Sequence, residues 1–533
     1  MDRRSLLAAG AAGAALAAVT ASACTSGASR EQPSNSPGPP TATGGTGRPS
    51  ASASPAAWTA LARSLAGSLV RPGDAAYPTA RQLYNTRFDS LKPAAVAYVA
   101  NDFDVQECLA FARAHRTPVA LRNGGHSYAG WSSGTGRLVL DVSKLNRVRA
   151  DGATATIGAG ARLLDVYLAL GRTGRTIPGG SCPTVGITGL TLGGGHGVAT
   201  RAYGATCDSL TSTTLITADG KRLTADADRE SDLFWALRGA GNGNFGVVTE
   251  LTFRTHDAPQ AVTAYLTWPW AKARAVIEAW QEWGPDQPDE IWSAAHLAAA
   301  AGGARAGAAP TVDVSAFSLG SYGDLQNAVD RLADRVGAPA ASVSLRRHGY
   351  TDAMLAYAGC AALSEAQCHL AGATPGRTPQ GALQRETYAA RSAFFDRAIP
   401  AAGVRALLAR TEAFGSVPVG QGGGAGSMAL TALGGALNRV SPTATAFVHR
   451  RSRVLAQYIA SWRPGTPGTV QRAWLNTTHD ALSRYANGAA YQNYADPELT
   501  DWRTAYYGAA APRLAELKRR YDPTRVFDFP QAL

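Results

Sequence analysis

Two reactive side chains, the imidazole of His126 and the thiol of Cys182, each stand in a run of small residues. Residues 122–130 read RNGGHSYAG and residues 179–197 read GGSCPTVGITGLTLGGGHG. Backbone this poor in side chains can come closer to a flat or phosphorylated ligand than ordinary chain can. The small neighbours also leave the His and Cys nucleophilic atoms accessible. A large cofactor is the natural occupant, and both side chains could bond to it. The G-x-G-x-x-G dinucleotide fingerprint that follows a strand is a different device.

The elements that must carry these segments are legible in outline. An amphipathic helix is expected over 57–69 and a strand over 95–99. Asp104 is expected to cap a helix running through 114, because a short carboxylate takes free amide donors at a helix start. A strand at 118–121 then delivers His126 into its loop. Strands at 137–140, 154–157 and 210–216, a helix at 163–171 and a turn at Ala218-Asp219-Gly220 follow, a mixture that argues for an α/β or α+β domain. From about 255 to 472 the helical patterns lengthen. Trp268, Trp270, Trp280, Trp283 and Trp292 cluster there, as core packing or as a sugar platform. A helix at 325–336 lies between strands at 312–317 and 341–345.

The chain of 533 residues exceeds one ordinary core, so two domains plus a tail are expected. Its net charge of +12 is spread over isolated arginines, without a basic block or an aromatic-interleaved stripe. Nucleic-acid binding is therefore not indicated. Residues 1–24 carry Arg3-Arg4 before an Ala/Gly/Leu/Val run too short for a spanning helix, the pattern of a twin-arginine export signal. Ala21-Ser22-Ala23 before Cys24 fits either simple cleavage or a lipidated cysteine. Residues 25–57, rich in Ser, Gly, Pro, Thr and Ala, read as a flexible tether. Cys360 and Cys368 could close a small disulfide loop in an exported domain, while Cys108 lies in an apolar helical pattern as a buried thiol. No pair of cysteines has metal-ligand spacing, and no metal is expected.

The glycine segments resemble the flavin-attachment segments of the berberine bridge enzyme-like branch of the vanillyl-alcohol oxidase/p-cresol methylhydroxylase flavoproteins. His126 stands in Gly124-Gly125-His126-Ser127, and Cys182 in Gly180-Ser181-Cys182-Pro183-Thr184-Val185-Gly186. Residues 232–239 (DLFWALRG), 243–249 (GNFGVVT) and 446–450 (AFVHR) match further signatures, as do Tyr491-Gln492-Asn493-Tyr494 and Tyr521-Asp522-Pro523. The resemblance spans about 84–533, strong at both ends and weak between. It implies an α+β, two-domain PCMH-type FAD-binding fold whose substrate domain is an antiparallel sheet covered by helices. The implied division is an FAD domain at 80–255, a substrate domain at 256–475 and a C-terminal module at 476–533.

The resemblance also implies roles. FAD is held bicovalently, His126 on the 8-methyl group and Cys182 on carbon 6, gripping the ring from opposite edges. Arg122, Asn123, Gly124, Gly125 and Ser127 belong to the cofactor site, with Val185, Gly186, Thr188, Gly189, Gly193, Gly194, His196 and Gly197. Gly246, Val247 and Val248 meet the cofactor through backbone groups. Tyr494 is the expected base, and since a free phenol titrates near 10, cations or donors must stabilise its phenolate. Tyr491 and Asn493 hold that segment in register, Asn493 bonding the flavin edge or Tyr494. Tyr128 orients substrate or polarises Tyr494; His196 contacts substrate or steadies its loop.

One departure is that Ala432-Leu433 replaces the family's Pro-Tyr, and residues 427–438 (SMALTALGGALN) offer no accessory acid or base. The chemistry implied is oxidation of a carbinol on a sugar, oligosaccharide or glycosylated metabolite, with hydride passing to FAD and electrons on to O2. A dehydrogenase using another carrier, a secondary-metabolite tailoring enzyme and a non-catalytic flavin- or glycan-binding envelope protein are the alternatives. Export places the protein outside the cell or on the outer face of the cytoplasmic membrane.

Overall fold

The computed structural model describes residues 53–533. The twin-arginine segment, Cys24 and nearly all of the tether lie outside the described residues. A helix Pro55–Ser64 opens the fold, capped by Ser54, whose hydroxyl accepts from the Ala57 amide at 3.1 Å. It ends sooner than the sequence suggests, because the chain turns into β1 (Ser68–Val70).

Three sheets carry the architecture. β2 (Ala95–Tyr98), β3 (Val119–Arg122) and β4 (Leu138–Asp141) pair in parallel in the order β2-β4-β3, with β1 antiparallel at the edge. β2 and β4 are buried along their whole length, as sandwiched parallel strands are. The crossover from β2 to β3 is the helix Asp102–His115. Its cap is Asn101, not Asp104: the Asn101 side chain accepts from the Asp104 amide at 2.9 Å. Asp104 is buried and instead accepts from the amides of Ala66, Gly67 and Ala100, tying the opening helix and β1 to the first sheet.

The chain then lays down β5 (Val148–Asp151), β6 (Thr154–Gly158), the two-residue β7 (Arg175–Thr176), β8 (Leu210–Ile216), β9 (Arg222–Asp226), β10 (Val247–Arg254) and β11 (His256–Asp257). Five of them form an antiparallel sheet in the order β5-β6-β10-β8-β9, while β7 and β11 make a small ribbon.

The third sheet has seven antiparallel strands: β12 (Gln260–Trp268), β13 (Ile291–Ala300), β14 (Thr311–Ser318), β15 (Ser342–Gly349), β16 (Tyr388–Phe395), β17 (Ala425–Ala432) and β18 (Val454–Ser461). Their order is β15-β12-β14-β13-β17-β18-β16. Strand alternation divides its two faces. Ile291, Ala295, Leu297, Met428, Leu430 and Ala456 pack into a core shared with the helices Ala273–Trp283, Tyr322–Val336, Ala401–Phe414 and Thr469–Ser483. Trp292, Ala294, His296, Ala429, Thr431 and Gln457 look the other way, into a cavity. Trp268, Trp280 and Trp283 are buried in that helix-covered core, whereas buried Trp292 lines the cavity, so the tryptophan cluster divides between core packing and the cavity wall.

The C-terminal helices Trp502–Tyr507 and Ala511–Tyr521 return to the first half of the chain. Buried Lys518 fastens them there: its Nζ donates to the Asn244 and Phe527 carbonyls, 2.7 Å each, and to Asp522 Oδ2 at 2.8 Å. Cys360 and Cys368 are joined as a disulfide with Cα atoms 5.7 Å apart, and Cys108 and Cys207 are buried thiols.

Candidate active site

A cavity of about 440 Å³ runs between the glycine segments and the open face of the seven-stranded sheet. The first glycine segment leaves β3 and forms its roof from Arg122 through Tyr128. None of the amides from Gly124 to Tyr128 donates a hydrogen bond within the described residues. A row of free amides lining a cavity suits the phosphate oxygens of a dinucleotide. The second segment supplies Cys182, Val185, Gly186, Thr188, Gly189, His196 and Gly197, and the β10 end adds Gly246, Val247 and Val248.

The glycines mainly let the two segments touch each other. A Cβ on Gly124 would strike Gly186 N and Thr184 O, and one on Gly197 would strike Gly179 O. Gly125 also sits at φ +70°, which favours glycine. Gly193 and Gly194 are not on the cavity wall, contrary to expectation. A Cβ on Gly193 would collide with the Asn493 amide and one on Gly194 with the Phe447 ring, so both serve close packing.

His126 and Cys182 converge. His126 Nε2 lies 2.9 Å from Thr184 Oγ1, and Cys182 Sγ lies 3.8 Å from the same oxygen. They therefore approach one edge of any shared ligand rather than opposite edges. Tyr84 stacks on the His126 ring at 4.0 Å. Burial, helped by the Arg162 charge, pushes the His126 pKa down to about 3, which leaves its ring nitrogens neutral and nucleophilic.

At the sheet side of the cavity stands Tyr494. Its Oη lies 2.7 Å from His196 Nε2, its ring stacks on Tyr128 at 5.1 Å, and Tyr491 meets it edge-on at 4.9 Å. No cation accompanies it among these contacts. Burial, then the neighbouring tyrosines, raise its pKa well above 10. The expected stabilised phenolate is not what this environment favours. His196 is neutral too, burial having lowered its pKa to about 4, and its Nδ1 is buried without a partner among the described residues. The arrangement is a neutral phenol bonded to a neutral imidazole.

The rest of the C-terminal segment holds this site in register, and Tyr491 and Asn493 also line the cavity. Tyr491 Oη accepts from the Gly195 amide at 2.9 Å and from Asn493 Nδ2 at 2.8 Å. Asn493 also donates to the Leu190 carbonyl and accepts from Asn242 Nδ2 at 2.7 Å. It bonds Tyr491, not Tyr494. Tyr128 is stacked on Tyr494, and its hydroxyl accepts from Gln457 Nε2 at 2.7 Å. Gln457, Asn242 and His296 escaped the sequence reading. Gln457 and His296 were detectable only as isolated polar residues on otherwise apolar strands. Asn242 lies one residue before the 243–249 motif, in a Gly/Asn turn that gave its side chain no assigned role.

The family models agree with this geometry: an FAD binding domain matches residues 93–226, and the berberine and berberine-like model matches 490–533. The uncharacterized FAD-linked oxidoreductase YgaK of Bacillus subtilis is 30% identical over 88% of this chain and 97% of its own length. The chain belongs to the berberine bridge enzyme-like FAD-linked oxidoreductases. The chitooligosaccharide oxidase of Gibberella zeae is 28% identical over 84% of this chain and 89% of its own. The solved structure of Physcomitrella patens BBE-like 1 superposes with a TM-score of 0.77 at 29% identity, covering 89% of this chain and 98% of that one. This berberine bridge enzyme-like protein accordingly has the α+β, two-domain PCMH-type fold, binds FAD and is an oxidoreductase acting on a small molecule.

Proposed function

We propose that the enzyme oxidises a carbinol on a sugar, oligosaccharide or glycosylated metabolite, using FAD bound covalently through both His126 and Cys182, with O2 as acceptor. The observation that carries this reading is the Tyr494–His196 hydrogen bond at 2.7 Å, set over the cavity in which His126 and Cys182 share the Thr184 hydroxyl. FAD, when bound, supplies the acceptor for the substrate's hydride.

The protein's own task is the hydroxyl proton. Tyr494 Oη takes the substrate proton while passing its own to His196 Nε2, so no free phenolate has to persist in a buried site. Tyr128, fixed by Gln457, stacks on the Tyr494 ring and keeps its hydroxyl aimed. The small side chains of Ala294, Ser427 and Ala429 leave the sheet side of the cavity open, which suits a bulky substrate. Likeness to a chitooligosaccharide oxidase supports a carbohydrate.

Residues 1–24 support export by the twin-arginine route, with Cys24 either lipidated or lost on cleavage, and the Cys360–Cys368 disulfide suits an oxidising compartment. Peroxide release across mono- and oligosaccharides and glycosylated metabolites tests the proposal. Turnover with O2 on at least one carbinol is expected; flavin reduction by amines alone would overturn it.

A further inference from the structure

Thr184 stands between the two side chains proposed to hold the flavin. It is 5% exposed, and its Oγ1 lies 2.9 Å from His126 Nε2 and 3.8 Å from Cys182 Sγ. Its backbone has little freedom. The first two amides of the helix Leu163–Gly171 donate to the carbonyls on either side of it, Leu163 to Val185 at 3.0 Å and Leu164 to Pro183 at 3.1 Å. Its own carbonyl meets Gly124 so closely that a Cβ there would stand 2.7 Å away. The imidazole is held as firmly. Tyr84 donates its amide to the Gly125 carbonyl at 3.0 Å and lays its ring on His126 at 4.0 Å.

A neutral imidazole carries its hydrogen on one nitrogen and its reactive lone pair on the other. His126 Nε2 faces Thr184. Nδ1 has no hydrogen-bond partner among the described residues and keeps accessible surface, on a side chain that lines the large cavity. Only Nδ1 is therefore open to a ligand, and it is a nucleophile only if the hydrogen sits on Nε2. A hydroxyl has one hydrogen to give and lone pairs to receive with. Accepting from Nε2 leaves the Thr184 hydrogen for the sulfur, so a single hydroxyl serves both groups.

Resting on the two-point attachment proposed above, we infer that Thr184 is the positioning residue for flavin attachment: its hydroxyl accepts from His126 Nε2, which makes Nδ1 the bonding nitrogen, and donates to Cys182 Sγ, which favours the thiolate. Both bonds form with the same balance. Each replaces one C–H of the flavin. That hydrogen and the one from the imidazole or thiol leave as protons, and two electrons pass through the flavin to O2, giving one H2O2 per bond. The hydrogen that the imidazole must lose is the one that Thr184 accepts.

The test follows attachment and not turnover. Full-length parent, Thr184→Ser and Thr184→Val are purified from flavin-limited cells and incubated with FAD in air over a range of pH. Flavin fluorescence on denaturing gels reads the rate, and NMR of the flavin peptides reads the bonded nitrogen. Valine keeps the shape of threonine without its hydroxyl. Thr184→Val should bind FAD but attach it about 10- to 100-fold more slowly, as expected for loss of a hydrogen bond to an ionised group. Its thiol bond should speed up as pH rises towards about 8.5, where a free thiol ionises, and its imidazole bond should divide between Nδ1 and Nε2. Thr184→Ser should restore the parental rate, the flatter pH profile and Nδ1 alone. Thr184→Ala carries the same expectations if the Val variant fails to bind FAD. Parental rates without the hydroxyl, or slow attachment with the parental pH profile and Nδ1 alone bonded, would overturn the inference while the two-link reading stands. A parent without covalent flavin would overturn both.

Discussion

Replacing Tyr494 with Phe removes one oxygen and little else. The ring keeps its 5.1 Å stack on Tyr128 and its 4.9 Å edge contact with Tyr491, so the segment should stay in place. What goes is the 2.7 Å bond to His196, whose Nδ1 already lacks a partner among the described residues. A positioned proton acceptor contributes about 10²- to 10⁴-fold, which is about 2.7–5.4 kcal/mol of barrier at about 1.36 kcal/mol per tenfold. The assay is anaerobic stopped-flow loss of oxidised-flavin absorbance, with a substrate identified by peroxide release. Tyr494→Phe should bind flavin normally and reduce it more slowly by that factor. If the proton moves on to His196, His196→Ala should slow reduction to within about tenfold of Tyr494→Phe, and the double variant should be no slower than the worse single, as members of one unit behave. Parental reduction rates in Tyr494→Phe, or multiplicative losses in the double variant, would refute the relay.

Three further outcomes are expected. His126→Ala and Cys182→Ala should each retain flavin through the other residue with slower turnover, and the double variant should release it on denaturation; protein-bound flavin fluorescence on a denaturing gel reads this. Gly193→Ala should lower stability and flavin occupancy, because its new methyl would collide with Asn493, which lines the cavity; thermal unfolding and the flavin-to-protein absorbance ratio check it. Stability should also depend on pH. Burial depresses His196, His256, His296 and His449 to about 4, from 6.5. The unfolded chain binds more protons there, so their contribution is present above pH 6.5 and is lost as pH falls towards 4. Asp313 and Glu386, raised by burial to about 7 and about 8, act oppositely and lose their contribution as pH rises. Unfolding midpoints should therefore climb from pH 4 to about 6.5 and flatten or fall by pH 8.

The sequence was most legible where backbone chemistry is local. Both glycine segments and the strand into His126 lie where expected, because small residues and apolar runs constrain the chain within a few positions. Misreadings arose where distant side chains decide. Asp104 looked like a helix cap but is held by the amides of Ala66 and Gly67 from another element. Gly193 and Gly194 looked like cofactor contacts, yet the residues that need them small, Asn493 and Phe447, lie more than 200 positions away. His196 could be read as touching ligand or steadying its loop, and only the fold brings it to Tyr494. The open face of the seven-stranded sheet was the least legible part. His296 and Gln457 reach the cavity only because β13 and β18 alternate in register.

The central claim is that one imidazole and one thiol hold the same flavin. The direct measurement is an intact mass of the native protein, denatured in acid, followed by mapping of the flavin-bearing peptides. The account requires one FAD per chain, cross-linking the peptides of His126 and Cys182. A mass equal to the bare polypeptide, with all the flavin free in the supernatant, would contradict it.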